Sequence, residues 1–111
     1  MKVIYVSGKY TADKVDKVNR NIRIARDIGI KLWEKGYAVI TPHCNTNHFE
    51  STELTYEDIM LGDIELIRRC DCVYMVYNWK KSKGAIRERD LAIKLNLPIY
   101  YDLDSVPNEK M

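Results

Sequence analysis

The stretch Ser82-Lys83-Gly84-Ala85-Ile86-Arg87-Glu88 concentrates the groups best able to do chemistry in this sequence. Ser82 stands where an N-cap would stand, just ahead of a helical period. Gly84 has no Cβ and so permits a close approach to the backbone. The free N–H groups that open the helix would suit an anion such as a phosphate. Glu88 lies about one turn further on, and its carboxylate could face the same space. Taken alone, this loose S-x-G-x-x-x-E pattern reads first as a capped helix with a solvated acid paired to lysine or arginine. A second group is Ser7-Gly8-Lys9-Tyr10, which closes an apolar run. Lys9 could hold a phosphate or be a solvated loop lysine. His43, Cys44 and His48 fall close together, but their spacing fits no zinc pattern and no fourth ligand is near. No metal and no cofactor are expected.

For these groups to meet, the elements between them must bring them together. Residues 2–7 read as a buried strand, stopped by Gly8. Residues 13–34 switch to a helical period through Val15, Val18, Ile22, Ala25, Ile28, Leu32 and Trp33, and Gly36 suits the position just past a helix end. Residues 37–41 form a second strand, closed by Pro42. Residues 42–54 show no period and read as a loop. Thr55 resembles an N-cap, with Glu57 and Asp58 in the first turn where the helix dipole favours acids. Ile59, Met60, Ile64, Ile67 and Cys70 continue that helix as an apolar stripe, with Asp63 at its edge. Residues 72–77 form a third strand, 78–83 a polar loop, 84–95 a third long helix and 98–101 a fourth strand. The tail from 102 reads as irregular.

The order β-α-β-α-β-α-β predicts a single α/β domain over residues 1–111. Its fold class is a flavodoxin- or Rossmann-like three-layer sandwich around a mostly parallel four-stranded sheet, order 2-1-3-4. The ligand crevice of such a sheet lies at the carboxyl ends of strands one and three, where the winding reverses. Ser7 to Tyr10 and the residues around Ser82 meet there. Among 111 residues a net charge of +2, with no basic run, argues against a nucleic-acid polymer as partner. Three cysteines make no even disulfide framework and read as free thiols in a reducing compartment. The opening apolar run is short and holds a tyrosine and a serine, unlike a signal peptide, and no stretch has membrane-spanning length. A cytoplasmic protein is the expectation. No Walker A sequence, G-x-G-x-x-G fingerprint or G-x-S-x-G elbow is present.

Ile4-Tyr5-Val6-Ser7-Gly8-Lys9-Tyr10 resembles the opening strand and loop of the nucleoside 2-deoxyribosyltransferase-like families. Asp63, then Cys70-Asp71-Cys72-Val73-Tyr74, then Ser82-x-Gly84-x-x-x-Glu88 with Ala92 and Pro98, resembles their second half. These families include 2-deoxyribosyltransferases, 5′-nucleotide N-glycosidases and small uncharacterised phage and bacterial relatives. The small relatives look nearest, given the length and Tyr56-Glu57-Asp58 ahead of Asp63. The resemblance implies cleavage of the N-glycosidic bond of a (deoxy)nucleoside or its 5′-monophosphate, by hydrolysis or by transfer to another base. The alternative is a non-catalytic protein that binds or sequesters a nucleotide on the same fold.

Residue by residue, the resemblance implies that Glu88 attacks or supports C1′ of the sugar. A carboxylate suits an oxocarbenium-like state. Asp63 would protonate or position the base, and Tyr5 would orient Glu88. Ser82 would contact a phosphate, and Gly8 would leave room for the ligand. Asn21 matches an asparagine of the small relatives. Residues 42–49 would lie over the base, with His43, Asn45 or Phe49 touching it. With Ser7, Lys9 and Gly84, these make the expected substrate contacts. Because such families complete the pocket from a neighbouring subunit, a homodimer or higher homo-oligomer is implied. Arg89-Asp90 after the glutamate departs from the usual leucine and glycine, which bears on helix packing and pocket shape. Asp71 reads as structural. Arg20 reads first as a solvated helix residue, and Arg87 as either a phosphate contact or a surface residue. Trp33 reads as core or interface, and Trp79 as an indole able to cover a ligand or a partner.

Overall fold

The computed structural model describes residues 1–45 and 53–110. Four strands, β1 (Val3–Ser7), β2 (Ala38–Ile40), β3 (Cys72–Met75) and β4 (Ile99–Tyr100), form one sheet of order β2-β1-β3-β4. Every pairing is parallel, with Tyr5 opposite Ile40 on one side and Val73 on the other. The helices are α1 (Val15–Glu34), α2 (Pro42–Asn45), α3 (Tyr56–Arg68) and α4 (Lys83–Lys94). No helix among the described residues is long and apolar enough to cross a membrane.

Strand parity divides the core into two layers. Ile4, Val6, Cys72 and Tyr74 point to one face, where Ala25 and Leu32 of α1 cover them. Tyr5, Val73 and Met75 point to the other, against Ile67 of α3 and Ala85 and Ala92 of α4. The result is a three-layer α/β sandwich. The same parity matters for function. Tyr5 and Ser7, two apart, emerge on the α4 side at the carboxyl end of the sheet.

Local chemistry sets the element ends. Thr55 and Asp58 form a reciprocal capping box at α3, each side chain accepting from the other's backbone at 3.0 Å. Ser82 caps α4 by accepting from the Ala85 N–H at 3.1 Å. The Asp71 carboxylate accepts the Val3 N–H at 2.7 Å, the structural role read from its position. Cys70 and Cys72 are free, buried thiols.

Three stretches depart from the sequence reading. Within 42–54, Pro42–Asn45 makes one helical turn, which Pro42 at the helix start favours and which is too short for a period to reveal. Trp79–Lys81 forms a 3-10 turn inside the expected polar loop. The tail is anchored rather than irregular. Asp102 caps a 3-10 turn at Leu103–Ser105, and Val106 enters the α1 core layer. Tyr37 donates to the Pro107 carbonyl at 2.9 Å, and Lys2 pairs with Glu109 at 2.8 Å.

Gly36 makes that anchoring possible. It has φ +97°, and a Cβ there would lie 2.6 Å from the Lys110 backbone nitrogen. Gly36→Ala should therefore cost ~1–3 kcal/mol, from the strained backbone together with the clash. Thermal unfolding should show a midpoint lower by roughly 5–15 °C. An unchanged midpoint would mean that the tail does not pack as described.

Candidate active site

Glu88 sits on the floor of a cavity of about 250 Å³ at the carboxyl ends of β1 and β3. Its side chain is 6% exposed. Both carboxylate oxygens are held. The Tyr5 hydroxyl donates to Oε2 at 2.8 Å, and the Ser7 hydroxyl donates to Oε1 at 2.7 Å. The Glu88 carboxyl is pushed up to about 7. Burial is the main cause, and the charge of Asp63 adds to it; the two hydroxyl bonds and Arg87 pull the other way. Tyr5 is raised well above the ordinary phenol range by its own burial and then by Glu88, so it stays a donor.

Asp63 is the second acid in the lining. It extends from α3 on the face shared with Tyr56 and Met60, which are seven and three residues before it. No hydrogen bond or ion pair reaches it from the described residues. Burial alone raises its carboxyl to about 6. Two carboxyl groups with near-neutral values therefore share one small space, as expected where an acid and a carboxylate are both needed.

The walls are mostly apolar or aromatic. Tyr10 and Thr11 come from the β1–α1 loop, Pro42 and His43 from α2, Tyr56, Ile59 and Met60 from α3, and Gly84 and Ala85 from α4. The His43 Nε2 lies 3.0 Å from the Lys9 carbonyl, so Nε2–H is the donor and Nδ1 is left as an acceptor. Nδ1 is buried without a partner among the described residues. Burial lowers the imidazole, which favours this neutral form.

A family model described as a domain of unknown function (DUF4406) matches residues 2–101. The chain belongs to the DUF4406 family. No curated protein matches it. Among solved structures, it is similar to a 2-deoxyribosyltransferase from Bacillus psychrosaccharolyticus, with TM-score 0.66 and 18% identity over 87% of this chain and 69% of that one. It is also similar to a 2-deoxyribosyltransferase from Leishmania mexicana, with TM-score 0.65 and 17% identity over 89% of this chain and 62% of that one. The DUF4406 chain thus has the nucleoside 2-deoxyribosyltransferase-like fold, in a chain shorter than these neighbours.

In this DUF4406 chain, Glu88, Asp63, Tyr5, Gly8, His43, Ser82 and Gly84 gather at the cavity. Ser7, Lys9 and Asn21 do not line it. Ser7 is fully buried behind Glu88 and so has no path to a ligand. Lys9 binds through its backbone, donating its N–H to Asn78 Oδ1 at 3.0 Å and accepting from His43 Nε2 at its carbonyl. Asn21 donates to the Tyr10 carbonyl at 3.1 Å and so supports the loop. Gly8 lines the cavity and also packs against the residue after β3, since a Cβ there would lie 2.7 Å from Val76 Cβ. Gly84 makes room for Tyr56, whose hydroxyl would be 2.7 Å from an added Cβ.

Arg87 pairs with Glu57 at 3.2 Å on the surface, and Arg20 is exposed. Trp33 is exposed on α1. Arg89 and Asp90 leave the cavity untouched. The Arg89 guanidinium stacks over Trp79 at 4.9 Å and donates to the Tyr101 hydroxyl at 2.7 Å. No cluster of metal-binding side chains occurs among the described residues. His48 and Phe49 fall outside those residues, as do the side chains of Cys44 and Asn45. Sequence reasoning passed over Tyr56, Ile59 and Met60 as site residues. Their helical spacing to Asp63 was the signal available.

The buried acids make stability depend on pH. The folded state binds the Glu88 proton more tightly than an unfolded chain does, so stability is greatest below about 4.5 and falls as pH rises to about 7. Asp63 adds a drop in the same direction between about 4 and 6. Glu88→Gln should stabilise the protein at pH 8 by about 3 kcal/mol and change little at pH 4. Calorimetric melts across this range test it. Equal pH dependence in both proteins would mean that Glu88 is not buried as described.

Proposed function

We propose that this chain binds a nucleoside and breaks its N-glycosidic bond with Glu88. The observation that carries the reading is the buried Glu88 carboxylate, clamped on both oxygens and facing a small apolar cavity beside Asp63. In the first step a Glu88 oxygen bonds to C1′ while the C1′–N bond breaks. The bonding electrons leave with the base, and the Asp63 carboxyl supplies its proton. In the second step water or another base attacks C1′, gives a proton to Asp63 and frees Glu88. Water makes the reaction a hydrolysis, and a second base makes it a deoxyribosyl transfer. The names of the solved neighbours support this chemistry.

The lining favours a nucleoside over its 5′-monophosphate. No lysine or arginine lines the cavity among the described residues, whereas two carboxyl groups do. The Ser82 oxygen accepts the Ala85 N–H and keeps its O–H as a donor, but one neutral donor does not balance a phosphate's charge. A phosphate would meet negative charge without a cation to offset it.

Incubation with deoxy- and ribonucleosides and their monophosphates, with and without a free acceptor base, should release or exchange base from nucleosides. The monophosphates should react at least ~10-fold more slowly. Glu88→Ala should abolish the reaction with folding retained. A ligand-induced rise in melting temperature without product would instead support a binding or sequestering role.

The active form carries one proton across the pair, with Glu88 ionised and Asp63 protonated. Because Asp63 lies near 6 and Glu88 near 7, the shared proton rests mainly on Glu88, and the active form is the minor one-proton arrangement, which also peaks between those values. A plot of kcat/KM against pH should therefore be bell-shaped, with limbs near pH 6 and pH 7 and the upper limb belonging to Glu88. A flat profile from pH 5 to 8 would sink this assignment of acid and carboxylate.

A further inference from the structure

We propose that Ser7 is a positioning residue, whose buried hydroxyl fixes the plane of the Glu88 carboxylate and supports its anionic form without touching the ligand. The proposal rests on the catalytic reading of Glu88 and adds a residue to it. Ser7 has no exposed surface and does not line the cavity. A buried hydroxyl needs a partner, and its side chain has one among the described residues, Glu88 Oε1 at 2.7 Å.

The backbone that carries Ser7 is pinned on both sides. Ser7 pairs with Met75 across β1 and β3, and its carbonyl accepts the Val76 N–H at 2.7 Å. The following Gly8 packs against Val76 so closely that no Cβ would fit. Asn78 then holds the Lys9 N–H. A hydroxyl on so fixed a strand end has little freedom to follow a moving carboxylate. It sets where the carboxylate lies.

Tyr5 alone would leave Glu88 free to rotate about the bond to its carboxyl group. With Tyr5 on Oε2 and Ser7 on Oε1, both ends of the group are fixed from one strand, two residues apart. The two hydroxyls also supply donors that favour the anion in a buried place. Other groups act on the same carboxylate. Asp63 from α3 opposes its charge, Arg87 on α4 favours it, and the Tyr56 phenol lies within its field. Loss of Ser7 leaves these in place and removes one donor.

The test compares wild type, Ser7→Ala and Ser7→Cys, the last keeping a weak donor of similar size. The Glu88 carboxyl carbon is followed by NMR during a pH titration, assigned with Glu88→Gln. In Ser7→Ala it should titrate higher by about one pH unit, with Ser7→Cys in between. This readout needs no turnover, so it stands even where the catalytic reading fails. With an active nucleoside, Ser7→Ala should lower kcat roughly 10-fold or more, leave KM nearly unchanged and move the upper limb of the pH profile upward. Unchanged titration of Glu88 in Ser7→Ala would overturn the proposal. So would a raised KM with kcat intact, which would make Ser7 a ligand contact. If Ser7→Ala fails to fold, the Ser7→Cys titration decides alone, and no upward shift there overturns the proposal.

Discussion

Everything at the cavity depends on one costly arrangement: a carboxylate buried at the junction of a strand end and a helix. Leaving a charged group in such a place without partners would be strongly unfavourable. Two hydroxyls offset part of that cost, and both come from β1 at alternate positions. Their spacing works only because a strand returns to the same face every second residue. The helix must meet them at the right height. Ser82 sets where α4 begins, so Glu88 falls five residues after Lys83 on the inward side, near Gly84 and Ala85.

The cost is not fully offset, and the remainder has a use. Glu88 stays near neutrality because burial outweighs the hydroxyl bonds. Asp63, brought in by the opposite helix, is raised for the same reason and raises Glu88 further. A pair of this kind holds one proton over a narrow pH range. The apolar walls keep water from screening the two acids, and the His43 ring, held neutral by its burial, brings no positive charge to relieve them. The sandwich is therefore a scaffold that places two acids at the winding switch of a parallel sheet.

Much of this organisation was readable from the residues. Alternating strand and helix periods revealed the sheet order, and Gly36 and Ser82 marked real helix boundaries. Tyr5 and Glu88, eighty-three residues apart, lie within hydrogen-bond reach because a parallel sheet orders its strand ends on one side. What could not be read was depth. Ser7 and Gly8 sit in the loop that meets the crevice, yet one is buried behind Glu88 and the other is pressed against Val76. Lys9 engages through its backbone, which no side-chain pattern reveals. The tail also eluded sequence reading, because one buried residue, Val106, a few side-chain bonds to its backbone and the Lys2–Glu109 pair hold it, and none of these has a period. Arg89, a departure from the families it resembles, found its place on Trp79 and Tyr101 outside the cavity.

The central claim is that the Glu88 carboxylate bonds to the sugar. The most direct measurement is to mix the protein with a reactive nucleoside, quench in acid within the first turnover, and map adducts by peptide mass spectrometry. A pentosyl group on the peptide containing Glu88, appearing with the release of base and disappearing when acceptor is added, is the result expected. An adduct on another side chain, or base release with the Glu88 peptide unmodified at every quench time, would contradict it.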